Sequence, residues 1–213
     1  MRWLLRGSLG LNALLGLALA RRLRRRAMIR ARLIQAPEHD FAALARQTFG
    51  SSEPGAVMLV GDSQVAAAPW LELLTPYRNR GLSGAKIVDV AAWIDDVLAD
   101  RPAQLVLFIG SNDVYFDVPR AESLAAARSL FARLARARCR VAVVSVPPLP
   151  ADKRAVRSLN SGLAKLAADH GFNWIDICPT LAALDWTEDG IHLNPAAYRA
   201  VAPLIAAAAA SSR

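Results

Sequence analysis

Apolar residues along this chain follow two rhythms. From Ala56 onward, short unbroken apolar runs alternate with longer stretches in which apolar positions recur every three or four residues. The runs at Ala56 to Val60, Gln104 to Ile109, Val141 to Val146 and Phe172 to Ile177 have strand length and little polar alternation, as expected of strands covered on both faces. A more polar run, Arg78 to Leu82, reads as a short edge strand. Trp70 to Leu74, Ile87 to Leu98, Arg120 to Arg136 and Ala151 to His170 read as helices, the last closed by Gly171. Asn194-Pro195 opens a final helix, with asparagine placed to cap and proline at the first helical position. This alternation predicts a three-layer α/β/α sandwich with a five-stranded parallel sheet. With strand order 2-1-3-4-5, the ligand crevice falls between the first strand and the third.

The domain spans 56–213. Before it, residues 34–55 read as a linker with a short helix at Asp40 to Thr48, ending in the turn-rich Gly50-Ser51-Ser52-Glu53-Pro54-Gly55. Residues 1–33 differ in kind. They hold nine of the 26 basic residues and no acid, so the formal charge of +8 belongs to this segment, and 17 basic residues face 18 acidic ones over the rest. A folded domain so close to neutral argues against a nucleic-acid partner. The apolar stretch Gly7 to Ala20, followed by Arg21, Arg22, Arg24, Arg25 and Arg26, predicts a membrane-associating segment. Fourteen helical residues reach roughly 21 Å, against a hydrocarbon core of roughly 30 Å, and counting back to Trp3 nearly closes the gap. Ala18-Leu19-Ala20 resembles a cleavage site, which favours export, but the arginines behind it are hard to translocate. The preferred expectation is an uncleaved anchor with the domain on the cytoplasmic side, with export and an interfacial helix as alternatives.

Cys139 and Cys178 fall at opposite edges of neighbouring parallel strands, so no disulfide is expected. Neither has metal-ligand spacing with His39, His170 or His192, and no metal or other cofactor is expected.

Candidate chemistry gathers where strands end. Ser63 follows the first strand through Gly61 and Asp62 and stands at a helix start, where a hydroxyl points out of the sheet and its own N–H faces a developing oxyanion, aided by the helix dipole. Asn112, in the turn after the third strand, offers an amide donor. Gly81, ending the second strand, allows close backbone approach. Asp189 and His192 are three residues apart, so the carboxylate can hold the imidazole Nδ1 proton and leave Nε2 for Ser63. Each feature alone has a bland reading: a capping serine, ordinary turns, a surface histidine. Trp70, Tyr115 and Trp186, with Phe116, Pro147 and Pro148, lie near the same strand ends and are candidate walls of a substrate pocket.

Taken in order, Gly61-Asp62-Ser63, Arg80-Gly81-Leu82-Ser83-Gly84, Gly110-Ser111-Asn112-Asp113 and Asp189-Gly190-Ile191-His192 resemble the four motifs of the SGNH hydrolase superfamily, the GDSL esterases and lipases, from about Ala56 to the C-terminus. The resemblance implies a flavodoxin-like fold, Ser63 as nucleophile, His192 as base with Asp189 as its partner, and an oxyanion hole of Ser63, Gly81 and Asn112. The stretch Gln64-Val65-Ala66-Ala67-Ala68-Pro69-Trp70 departs from the family, which often carries a glycine in the first helix turn. The expected activity is hydrolysis of a carboxylic ester, of a short acyl chain, an O-acetyl sugar or a lysolipid or thioester, through an acyl-enzyme. An acyltransferase with the same triad and a catalytically silent, membrane-tethered binding module are the rivals. A phosphohydrolase is disfavoured by the lack of a glycine-rich phosphate loop.

Overall fold

The computed structural model describes residues 55–74 and 77–210. The membrane-associating segment, its arginine cluster and the short helix at Asp40 to Thr48 lie outside the described residues. Among those described, no helix is long and apolar enough to cross a membrane.

Five parallel strands form one sheet: β1 (Val57–Gly61), β2 (Tyr77–Gly81), β3 (Gln104–Phe108), β4 (Arg140–Val144) and β5 (Asn173–Ile175). Their spatial order is β2-β1-β3-β4-β5, so strand order reverses between β1 and β3 as expected. All five residues of β3 are buried. Because side chains alternate between faces along a strand, helices must cover both sides of the sheet at its centre.

The helices are α1 (Ser63–Ala66), α2 (Trp70–Leu73), α3 (Ile87–Leu98), α4 (Ser111–Tyr115), α5 (Arg120–Leu134), α6 (Lys153–Asp169), α7 (Cys178–Ala182) and α8 (Pro195–Ala210). The long ones are amphipathic for the reason read from their spacing. Ala127, Leu130, Phe131 and Leu134 line the buried stripe of α5, and Val156, Leu159, Leu163 and Leu166 that of α6. Arg133 of α5 donates to Ala91 O and pairs with Asp95, both on α3. Asn194 caps α8, its Oδ1 accepting from Ala197 N–H at 2.9 Å.

The structure shortens the expected fifth strand to three residues and adds two single-turn helices, α4 where a turn was expected and α7 just beyond the expected end of the fifth strand. Both begin directly at the sheet edge. Their lengths are below what a 3.6-residue hydrophobic period can register. Cys139 and Cys178 are both free thiols.

One ladder row places the site. Gly81 pairs with Gly61, Gly61 with Phe108, Phe108 with Val144 and Val144 with Ile175, so one line across the sheet marks its carboxyl edge. A Cβ on Gly61 would fall 1.9 Å from Phe108 O, and Asp62 N–H donates to that same oxygen at 3.2 Å. A Cβ on Gly81 would meet Ala66 N at 2.3 Å. Glycine is therefore required by close backbone approach at both ends of the Gly61–Gly81 pair. Gly61→Ala is expected to cost about 3 kcal/mol or more, the upper end of overpacking costs, because only backbone can move out of the way. Urea unfolding of the variant checks this, and a midpoint equal to wild type would disprove it.

Candidate active site

Ser63 is the first residue of α1, capped by Asp62, whose Oδ1 accepts from Gln64 N–H at 2.9 Å. The helix has four residues, too few for a substantial macrodipole, so the dipole expected to assist Ser63 is replaced by individual N–H groups. Ser63 N–H has no hydrogen-bond partner among the described residues.

The hydroxyl of Ser63 lies 2.9 Å from His192 Nε2, and His192 Nδ1 lies 2.5 Å from Asp189 Oδ2. Sequence separation between the first pair is 129 residues. The sheet edge brings together the end of β1 and the loop before α8. That loop is built by Asp189 itself: its Oδ1 accepts from Ile191 N–H and His192 N–H, each at 2.8 Å, so the carboxylate folds the turn with one oxygen and holds the imidazole with the other. Gly190 supplies the left-handed backbone the turn needs, with φ of 81°. Thr187 Oγ1 accepts from Gly190 N–H at 3.0 Å and completes it. Burial alone would raise the Asp189 pKa, but hydrogen bonds from the His192 ring and from the backbone of His192 and Ile191 outweigh it and hold it at about 2. The two side chains remain 54% and 40% exposed, so water reaches the pair.

Asn112, on α4, is buried and its Nδ2 donates to Ala85 O at 2.9 Å. An amide nitrogen carries two hydrogens, so one is left for a ligand. Asn112 follows Ser111, whose side chain hydrogen-bonds Asp62.

Gly81 does not fill its expected role. Its N–H donates to Asn79 Oδ1 at 2.9 Å, and the space beside its α-carbon is filled by α1. Asn79 Nδ2 in turn donates to Val65 O at 2.8 Å, so the asparagine stitches β2 to α1. Three residues on, Gly84 is exposed with φ of 80°, has open space around its α-carbon, and its N–H is unpaired among the described residues. It adjoins Ala85, whose carbonyl Asn112 holds.

Two of the expected pocket walls are core residues. Trp70 is 1% exposed, packed on Phe108 and edge-on to Tyr198 with ring centroids 5.4 and 5.2 Å away, and its Nε1–H donates to Gln64 O. Trp186 is buried as well, its carbonyl accepting from Asn194 N–H. Tyr115 is half-buried, edge-on to Phe116, and both stay at the sheet edge as candidate walls. Pro147 is buried and Pro148 half-buried.

Gln64, Asn79, Thr187 and Tyr198 were not singled out in the sequence. Gln64 was detectable in principle, as the one polar side chain in the run from Gln64 to Pro69. The other three act through folded contacts that leave no spacing signal.

Asp62 is fully buried and its Oδ2 has no hydrogen-bond partner. Burial pushes its pKa up from 3.8 to about 7, against the opposing pull of the Gln64 N–H, Ser111 and His192.

A parallel sheet of this strand order thus carries a serine, a histidine and an aspartate in hydrogen-bond sequence at its carboxyl edge. The chain belongs to the GDSL-like Lipase/Acylhydrolase family, whose model matches residues 48–200, and is thus a carboxylic ester hydrolase. Its fourth motif residue is Gln64, where the family name spells leucine. A GDSL-like lipase from Bacteroides thetaiotaomicron shares the fold at a TM-score of 0.71 and 18% identity, over 82% of this chain and 98% of that one. A lipolytic protein of the G-D-S-L family from Veillonella parvula (TM-score 0.62, 19% identity, 74% and 98% covered) is also similar. So is an acetylxylan esterase from Geobacillus stearothermophilus (0.61, 19%, 75% and 97%). No curated protein matches the chain.

The buried carboxyl generates a test. An aspartate whose folded pKa lies above its unfolded one binds its proton more tightly when folded. Its contribution is therefore full below about pH 4 and is lost as pH rises through about 7. Asp62→Asn lacks this titration. Between pH 4.5 and 8, wild type is expected to lose on the order of 3 kcal/mol of unfolding free energy relative to the variant. A pH-independent difference in urea unfolding would contradict it.

Proposed function

We propose that the protein hydrolyses a short-chain carboxylic ester through an acyl-enzyme on Ser63. The observation that carries this is the unbroken sequence Ser63 Oγ, His192 Nε2, Asp189 Oδ2 at 2.9 and 2.5 Å. Ser63 Oγ attacks the ester carbonyl carbon while its proton passes to His192 Nε2, and Asp189 stabilises the imidazolium formed. The carbonyl oxygen becomes an oxyanion, received by Ser63 N–H and the free hydrogen of Asn112 Nδ2. Gly84 N–H takes the place assigned to Gly81 as third donor. Collapse expels the alcohol with the proton from His192. A water molecule, deprotonated by His192, then attacks the acyl carbon, and the carboxylic acid leaves as Ser63 regains its proton.

Water access separates hydrolysis from transfer to another hydroxyl, and the exposure of His192 and Asp189 favours hydrolysis. The likeness to an acetylxylan esterase makes an acetyl group on a sugar hydroxyl the first substrate to try. The N-terminal segment is proposed as an anchor that leaves the domain on the cytoplasmic side.

On p-nitrophenyl esters of increasing chain length, turnover by the full chain is expected to be highest for acetate. Ser63→Ala and His192→Ala should each lower kcat by about three orders of magnitude or more, and Asp189→Asn by less. A Ser63→Ala protein as active as wild type would end the assignment. For the anchor, a fluorescent protein fused to the C-terminus should light up and an alkaline phosphatase fusion should stay silent. The reverse pattern would mean export.

A further inference from the structure

Apart from the core packing of Leu193, few hydrogen bonds beyond its own turn hold the loop that carries His192 in register. Among the described residues, the hydrogen bonds of 187–193 that leave the loop and its flanks run to two residues alone, Ser63 and Gln64. The bonds made by Asp189 and Thr187 are local, so they shape the turn but travel with it.

Gln64 is 1% exposed and adjoins the serine. Its Nε2 donates to Ile191 O at 2.6 Å, and its Oε1 accepts from Leu193 N–H at 3.2 Å. One side-chain amide thus grips the peptide groups on both sides of His192. The residue is itself fixed from behind. Its N–H donates to Asp62 Oδ1, and its carbonyl accepts from Trp70 Nε1–H at 3.1 Å and from the Tyr198 hydroxyl at 3.3 Å. That hydroxyl also lies 3.3 Å from Gln64 Oε1. Trp70 and Tyr198 belong to α2 and α8 and are both buried, so the clamp is anchored in the core.

We infer that Gln64 is a positioning residue that sets the distance between Ser63 Oγ and His192 Nε2 by holding the backbone at Ile191 and Leu193. Because Gln64 is covalently joined to Ser63, the serine and the base are referred to the same point of the chain, and a shift of α1 carries both. The geometry a proton transfer needs is narrow: a misplacement of about 1 Å can cost on the order of 100-fold in rate. Leucine at this position would fill the space but leave Ile191 O and Leu193 N–H without the amide that pairs them. The inference rests on the serine–histidine reading above.

The test is a mutant cycle on the full chain with p-nitrophenyl acetate: wild type, Gln64→Met, His192→Ala and the double variant, each checked for a cooperative thermal melt. Gln64→Met is expected to lower kcat by about 10- to 100-fold with KM within about threefold, and to lower the residual rate of the His192→Ala protein no further. A folded Gln64→Met protein with kcat within twofold of wild type would overturn the inference. So would an equal loss in the His192→Ala background, which is the mark of a general structural role. Should Gln64→Met not fold, Gln64→Glu, which keeps the shape and the acceptor for Leu193 N–H, is put through the same cycle. Failure of both to fold would make Gln64 a structural residue and also overturn it. Ser63→Ala with full activity would instead remove the reading on which the inference stands.

Discussion

Where β1 ends, backbone meets backbone. A side chain at Gly61 would collide with Phe108 O, and the next peptide spends its N–H on that same oxygen. This contact lets β1 and β3 stay paired to their last residues and then diverge, β1 into α1 and β3 into α4. The divergence leaves Ser63 and Asn112 near the starts of the two short helices that follow β1 and β3. Gly81 does the same on the other flank, letting β2 run beneath α1. Neither glycine touches the reacting atoms. Both decide how near the surrounding backbone can come to them, and the rest of the site is arranged on that frame.

Two carboxylates lie near the Ser63–His192 pair, Asp62 beside the serine and Asp189 behind the imidazole, and their surroundings push their pKa values apart. Asp62 is sealed in the core with one oxygen unpaired, and burial raises its pKa to about 7. Asp189 stands half in water, and hydrogen bonds from His192 and the turn it caps hold its pKa at about 2. The first therefore carries a proton over much of the range in which the second is charged. A single negative charge then faces the imidazole, from the Nδ1 side. An ionised Asp62 beside Ser63 would oppose a developing oxyanion, and burial disfavours that ionised form.

Much of this was legible from the order of residues. The strands from Ala56, Gln104 and Val141 and the helix Ile87 to Leu98 were marked by their apolar rhythm, because burial on two faces or on one stripe leaves a periodic trace. Ser63, Asp189 and His192 stood out because few residue types do this chemistry and they fell at element ends. Gly81 misled: a glycine in a motif can serve by its N–H or by its missing side chain, and here Asn79 occupies the N–H. Trp70 and Trp186 misled because proximity in sequence to a strand end does not tell which way an indole points. Gln64 went unmarked within a stretch noted only for lacking a glycine, since its partners, Ile191 and Leu193, lie more than a hundred residues away.

The first described residue, Gly55, donates its N–H to Arg101 O, and Ala56 O accepts from Ala103 N–H. Both contacts lie at the amino edge of the sheet, where β1 and β3 begin. Ser63 and its partners His192 and Asp189 stand at the carboxyl edge, a full strand length away, roughly 16 Å for five residues. Gly55 thus lies at the end of the sheet opposite Ser63, Asp189 and His192. A tag or fusion partner joined directly before Gly55 would therefore meet the sheet at the edge away from Ser63 and His192.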